Sequence, residues 1–166
     1  MLISLPTIDA TYNLGSIFAR ALTGSSCLLP IFFYGEMGMG KTTLISALVK
    51  TLPGGETAET SSPSFTLYNI YTTRPPVAHF DLYRQEDETT DESLLDFLDG
   101  ERHLVLVEWA GRLRRHALPL DRLSCEIAAE NRTRFVRLAA FGHNASNCLA
   151  VIARELSTSP GDGTPQ

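Results

Sequence analysis

Leu28-Leu29-Pro30-Ile31-Phe32-Phe33-Tyr34 is a short apolar run, and Gly35-Glu36-Met37-Gly38-Met39-Gly40-Lys41-Thr42 follows it without a break. Leu44, Ile45, Leu48, Val49 and Leu52 then recur on one helical face until Pro53-Gly54-Gly55 ends the pattern. A buried strand that turns through glycines straight into a helix is the layout of a phosphate-binding loop. Gly35 must take the sharp turn off the strand. Gly38 and Gly40 must let backbone N–H groups approach phosphate oxygens with no Cβ in the way. Lys41 supplies a point charge for the β- and γ-phosphates, and the Thr42 hydroxyl can reach a Mg²⁺ ion bridging the same oxygens. The helix opening adds its partial positive charge and N–H donors. A chance glycine-rich turn is the plain alternative, but every fixed position agrees and the strand-to-helix context is present. Pro30 is unwelcome in a central strand, so the paired part is expected to begin at Ile31.

The length of 166 residues suits one α/β domain with a sizeable core. The apolar runs are too short to cross a bilayer, and no basic region precedes a long hydrophobic stretch, so the expected address is the cytoplasm with no membrane contact. Cys27, Cys125 and Cys148 are odd in number and widely spaced, which fits buried reduced thiols better than a disulfide frame or a zinc site. A formal charge of −5 argues against the chain gripping nucleic acid by itself. The charge is unevenly placed. Glu86, Asp87, Glu88, Asp91, Glu92, Asp96, Asp99 and Glu101 form an acidic segment, and Arg112, Arg114, Arg115, Arg122, Arg132, Arg134 and Arg137 a basic one. Two solvated faces are one reading of this and electrostatic docking to a protein partner is the other.

Helical spacing of Ala10, Leu14, Ile17, Phe18, Ala21 and Leu22 predicts a helix from about Asp9 to Thr23, capped by Thr7 or Asp9. Residues 54–62 read as a mobile loop. Strands are expected through Tyr71, from about Val77 to Leu82, and over the continuous apolar run Leu104 to Val107. Leu94, Leu95, Phe97 and Leu98 mark a short helix between the last two. A hairpin turning at Asn131 spans about Leu123 to Phe141, and Asn144 is expected to cap a final helix. The tail from Ser157 to Gln166 has nothing to bury and is expected to be disordered.

A triphosphate site needs a carboxylate at the end of a neighbouring buried strand. Glu108, directly after Leu104 to Val107, meets that need; its plain alternative is a surface acid at a strand end. Asp81 ends the preceding strand and is the second candidate. One acid would serve the metal and the other the attacking water or an acceptor hydroxyl. Ser64 and Thr66 are candidates for sensing the γ-phosphate, or else simply lead into a strand. Trp109 is either core or a cover for the nucleotide or a partner anchor. His79, His103, His116 and His143 show no metal-ligand pattern and read as structural or exposed.

Several separated segments together resemble the TsaE family, formerly called YjeE: bacterial ATPases required for making threonylcarbamoyladenosine in transfer RNA. They are Ala10-Thr11 with Leu14-Gly15, the loop ending Gly40-Lys41-Thr42-Thr43, Ser62-Pro63-Ser64-Phe65-Thr66-Leu67, His79-Phe80-Asp81-Leu82-Tyr83-Arg84, and Val107-Glu108-Trp109. The resemblance runs from about Thr7 to Leu156. It implies an α/β P-loop NTPase fold over residues 1–156, with a mostly parallel central sheet, flanking helices and a C-terminal β-hairpin. It also implies ATP and Mg²⁺ as cofactors and slow hydrolysis by the protein alone. The partners implied are TsaB and TsaD, whose complex transfers threonylcarbamoyl to an adenosine beside the anticodon, so that tRNA is met only through that complex. Carried onto this chain, Gly35, Glu36, Met37, Gly38, Met39, Gly40, Lys41, Thr42 and Thr43 bind the nucleotide. Glu108 is then the metal-side acid with Thr42, Asp81 is required for hydrolysis with Lys41, and Thr11 and Arg132 are outlying nucleotide contacts.

Glu36, Met37 and Met39 depart from the usual Asp, Leu and Ala of the family loop, at positions where the loop mainly offers backbone N–H groups. Ser64 replaces a more usual threonine, and Ala110-Gly111 stands where a proline is common. The rival reading is a small-molecule kinase with Arg112, Arg114 and Arg115 as lid arginines, but nothing between the loop and Glu108 resembles an acceptor pocket. A GTPase is disfavoured because no Asn-Lys-x-Asp segment occurs. A module gated by nucleotide occupancy rather than turnover is the third reading.

Overall fold

A computed structural model describes residues 1–24, 28–61, 66–85, 91–100, 102–131 and 133–158. Ser64, Arg132, Cys27, the acidic positions Glu86, Asp87, Glu88 and Glu101, and residues 159–166 lie outside the described residues. In chain order the strands and helices are β1 (Leu2–Leu5), α1 (Ile8–Thr23), β2 (Ile31–Tyr34), α2 (Lys41–Thr51), β3 (Tyr68–Tyr71) and β4 (Val77–Asp81). They continue with α3 (Glu92–Asp99), β5 (Leu104–Glu108), β6 (Arg122–Glu130), β7 (Thr133–Phe141) and α4 (His143–Thr158).

All seven strands join one sheet in the order β1-β7-β6-β2-β5-β4-β3. The middle pairings, β6 with β2, β2 with β5 and β5 with β4, are parallel, and the outer ones are antiparallel. The expected α/β architecture and C-terminal hairpin are therefore present, and the sheet expected to be mostly parallel is mixed, with a parallel centre and antiparallel edges. Strand β1 escaped the sequence reading. It has four residues, too few for a period to show, and its partner in β7 lies at the other end of the chain. Pairing of β2 does begin at Ile31, while the carbonyl of Pro30 still accepts from Leu123 N at 3.0 Å.

Alternation along the buried strands decides what faces each helix layer. Ile31 and Phe33, Val77, and Leu104 and Leu106 enter the core beneath α1, α2 and α4. Phe32, Ala78 and Phe80, and Val105 and Val107 enter the opposite core with Leu94 of α3. Continuing each alternation by one step sends His79, Asp81 and Glu108 to the α2 side. Register sets Asp81 beside Glu108 on adjacent parallel strands.

Helix α1 starts where Thr7 caps it, its hydroxyl accepting from Ala10 N at 3.1 Å. Gly15 lets α1 press against α2, for a Cβ there would stand 2.5 Å from Ala47 Cβ and 2.8 Å from Leu48 N. The expected cap of α4 needs correction. Asn144 lies inside the helix, and Asp121 serves its N-terminus, accepting from Ala145 N and Asn144 Nδ2 at 3.0 Å each. An acid more than twenty positions upstream does what a local asparagine was expected to do. Helix α4 also runs on through Ser157 to Thr158, past the expected start of the tail.

Candidate nucleotide-binding site

The loop between β2 and α2 is held by three glycines in conformations that side chains avoid. Gly35 has φ 133°, and a Cβ on it would stand 2.3 Å from Ile127 O. Gly38 (φ 77°) and Gly40 (φ 102°) turn the chain into α2, whose N-cap is Gly40 itself. The first intrahelical bond is Leu44 N to Gly40 O, at 3.0 Å. The N–H groups of Lys41, Thr42 and Thr43 therefore come before that ladder and face outward from the helix opening, where an anion is favoured. No atom stands within 4 Å of where a Cβ on Gly38 would be, so the loop tip borders open space.

Lys41 is buried and folds back over the loop. Its Nζ donates to Gly35 O at 2.8 Å and Glu36 O at 2.9 Å, and lies 3.9 Å from the centroid of the Trp109 ring. Burial pushes its pKa below the ordinary lysine value, and the nearby Glu108, Asp81 and Glu36 carboxylates partly oppose that shift. Trp109 adopts a left-handed backbone (φ 58°), rare for a large side chain, which turns its indole over the lysine and against Tyr83 at 4.9 Å between centroids.

Glu108 is 2% exposed, so its carboxylate must be satisfied within the protein. The Thr42 hydroxyl lies 2.8 Å from Oε1 and 3.0 Å from Oε2, and His79 Nε2 lies 2.9 Å from Oε1. Beyond His79, the Tyr71 hydroxyl stands 3.4 Å from Nδ1 and from the Ser61 carbonyl. Asp81 is half-buried, and its Oδ1 accepts from Tyr83 N at 2.9 Å. Gly38, Gly40, Lys41, Thr42, Asp81 and Glu108 border one cleft of about 300 Å³ that Thr43 and Trp109 also line.

The donor set suits magnesium. Thr42 and Glu108 offer hard oxygen atoms, and such sites complete their coordination with phosphate oxygens and water. No group of three or more His, Cys, Asp or Glu gathers elsewhere as a self-sufficient metal site among the described residues. No helix of the described residues is long and apolar enough to cross a membrane.

Most of the expected site residues thus meet in one place. Met37 is exposed at the loop tip, and Glu36 and Met39 line an adjoining cleft of about 640 Å³ with Tyr34, Arg112 and Glu126. Thr11 stands outside both linings; it is buried on α1 with its hydroxyl 3.5 Å from Thr7 O. Thr66, offered as a γ-phosphate sensor, lies 3.4 Å by its hydroxyl from Asn69 Oδ1. Arg112, offered as a lid arginine, donates to Gln85 O at 2.7 Å.

Two residues gain a place the sequence did not give them. His79, expected to be structural or exposed, is fully buried and touches the Glu108 carboxylate, a contact that its spacing of two from Asp81 signals. Arg134 of β7 brings its Nε to 4.0 Å from where a Cβ on Gly40 would stand, so a cation lies at the helix opening.

Similarity to known proteins runs through this site. Residues 5–136 match the family model of threonylcarbamoyl adenosine biosynthesis protein TsaE. The tRNA threonylcarbamoyladenosine biosynthesis protein TsaE of Aquifex aeolicus is 36% identical over 130 residues, covering 77% of this chain and 88% of that one. The protein of the same name from Bacillus subtilis is 35% identical over 125 residues, 74% of each chain. The crystal structure of Bacillus subtilis YdiB superposes with a TM-score of 0.75 at 23% identity, over 93% of this chain and 95% of that one, which establishes likeness of fold.

Proposed function

The chain belongs to the TsaE family of tRNA threonylcarbamoyladenosine biosynthesis proteins, and on that premise we propose that it is an ATPase. It supports threonylcarbamoyl transfer to the adenosine beside the tRNA anticodon by acting on a TsaB–TsaD complex. The observation that carries the reading is the convergence of the Thr42 hydroxyl on the buried Glu108 carboxylate at the opening of α2, one residue from Lys41.

In this reading ATP lies with its β- and γ-phosphates against the N–H groups that follow Gly38 and Gly40. Lys41 gives up its bonds to the Gly35 and Glu36 carbonyls in exchange for phosphate oxygens. Thr42 and Glu108 would hold Mg²⁺, which would supply neutralisation of the charge that develops on the transferring phosphoryl group. Asp81, beside Glu108 in register, orients the attacking water. Arg134, and Arg132 and Thr11 by resemblance, bear on the rest of the nucleotide. The catalytic domain, expected over residues 1–156, extends to the end of α4 at Thr158, works in the cytoplasm, and meets tRNA only through its partners.

The test is mass spectrometry of tRNA nucleosides after depletion of this protein. Threonylcarbamoyladenosine is expected to fall and to return with the intact gene but not with Lys41→Ala; an unchanged level rejects the proposal. Release of ADP and phosphate without an added acceptor separates this reading from that of a small-molecule kinase.

A further inference from the structure

His79 is fully buried in the middle of β4 and has its imidazole nitrogens turned to two different parts of the site. Nε2 lies 2.9 Å from Glu108 Oε1 and Nδ1 lies 3.4 Å from the Tyr71 hydroxyl. Tyr71 also stacks on the imidazole, with 6.2 Å between centroids and 26° between planes. An ionised carboxylate can only accept hydrogen bonds, so the proton of that contact sits on Nε2.

Glu108 therefore has two partners of different kinds. Thr42 belongs to the phosphate loop and would exchange the carboxylate for a metal on binding. His79 belongs to the sheet, beneath the cleft, and is absent from the cleft lining. It can keep its bond while Thr42 turns away. We propose that His79 is a positioning residue, fixing Glu108 through Nε2–H so that the carboxylate stays aimed at the metal when Thr42 lets go. Tyr71 sets the ring in turn, and its hydroxyl also reaches the Ser61 carbonyl at 3.4 Å, which ties Ser61 to the metal-side acid. The inference rests on Glu108 serving the metal, as proposed above.

The experiment measures Mn²⁺ binding to the ADP-bound protein by the EPR signal of the free aqueous ion, with metal-free ADP binding followed in parallel by calorimetry. His79→Leu should weaken Mn²⁺ binding roughly 10- to 100-fold, the range seen when the outer partner of a metal ligand is lost, and Glu108→Gln at least as much. His79→Gln places an amide N–H near the position of Nε2 and should recover affinity to within about threefold, while metal-free ADP binding moves less than about twofold in the two His79 variants. If Glu108→Gln loses Mn²⁺ but His79→Leu does not, the inference falls and the metal role of Glu108 stands. Failure of glutamine to recover what leucine loses would make the imidazole mere filling and also overturns it. If Glu108→Gln binds Mn²⁺ normally, the metal reading itself falls.

Should His79→Leu fail to fold, the imidazole ¹⁵N and ¹H resonances of the wild-type protein decide. A protonated Nε2 is expected, and a bare Nε2 with the proton on Nδ1 alone contradicts the proposal.

Discussion

The hydroxyl of Thr42 lies within 3.0 Å of both carboxylate oxygens of Glu108, so the first turn of α2 and the end of β5 are joined by the pair of side chains suited to a metal. Thr42→Ala leaves the buried Glu108 with His79 as its remaining partner among these bonds. Loss of a hydrogen bond to a buried acceptor costs about 1–3 kcal/mol, so the denaturation midpoint of the metal-free protein should fall, and the gain in ATP affinity on adding Mg²⁺ should shrink. Urea melts and ATP titrations with and without Mg²⁺ check both, and an unchanged Mg²⁺ effect would argue against a metal at this pair.

Lys41 gives a pH dependence whose sign follows from its burial. Its folded pKa lies below the ordinary 10.5, so in the window between the two values the unfolded chain holds more protons and stability rises with pH. Nucleotide affinity moves the other way, because a neutral amine offers phosphate no charge. Wild-type ATP binding should therefore weaken at a pH below 10.5, and the stability rise should vanish in Lys41→Met. ATP titrations and urea melts across alkaline pH provide the measurement; affinity that stays level until the ordinary lysine range would contradict it.

Gly15 carries the packing of α1 on α2, and through α2 the placement of Lys41 and Thr42. The Cβ of Gly15→Ala would stand 2.5 Å from Ala47 Cβ and 2.8 Å from Leu48 N, and the second neighbour is backbone that cannot rotate aside. Overpacking of this kind costs about 1–3 kcal/mol, read as a lowered denaturation midpoint. A midpoint equal to wild type would show that the helices separate without cost.

Arg134 is exposed, with its Nε near Gly40, whereas the resemblance pointed to Arg132. Arg134→Ala should weaken ATP binding several-fold, more at low salt than at high, and leave the denaturation midpoint unchanged, as expected for a screened surface cation facing a phosphate. Calorimetry at two salt concentrations tests this, and equal affinity at both would remove Arg134 from the nucleotide's surroundings.

What the sequence disclosed and what it hid divide along a physical line. The loop from Gly35 to Thr42 and the run from Leu104 to Val107 are local: contiguous residue types fix both the turn and the strand, and Glu108 inherits its place from the strand end. Strand β1, the Asp121 cap of α4 and the contact of His79 with Glu108 are set by partners far along the chain. Each follows from register, which no window of neighbouring residues contains. His79 sits opposite Leu106 and reaches Glu108 diagonally, so its meaning appears only when β4 and β5 are laid side by side. Thr11 is legible only as a motif position, and its buried hydroxyl lies 3.5 Å from Thr7 O.

The most direct measurement is a calorimetric titration of the purified protein with ATP in the presence of Mg²⁺, repeated with Lys41→Ala. Saturable binding at one site per chain that is lost in the variant is the predicted result. Heats that never saturate, or a variant that binds as the wild type does, would contradict a nucleotide site at the opening of α2.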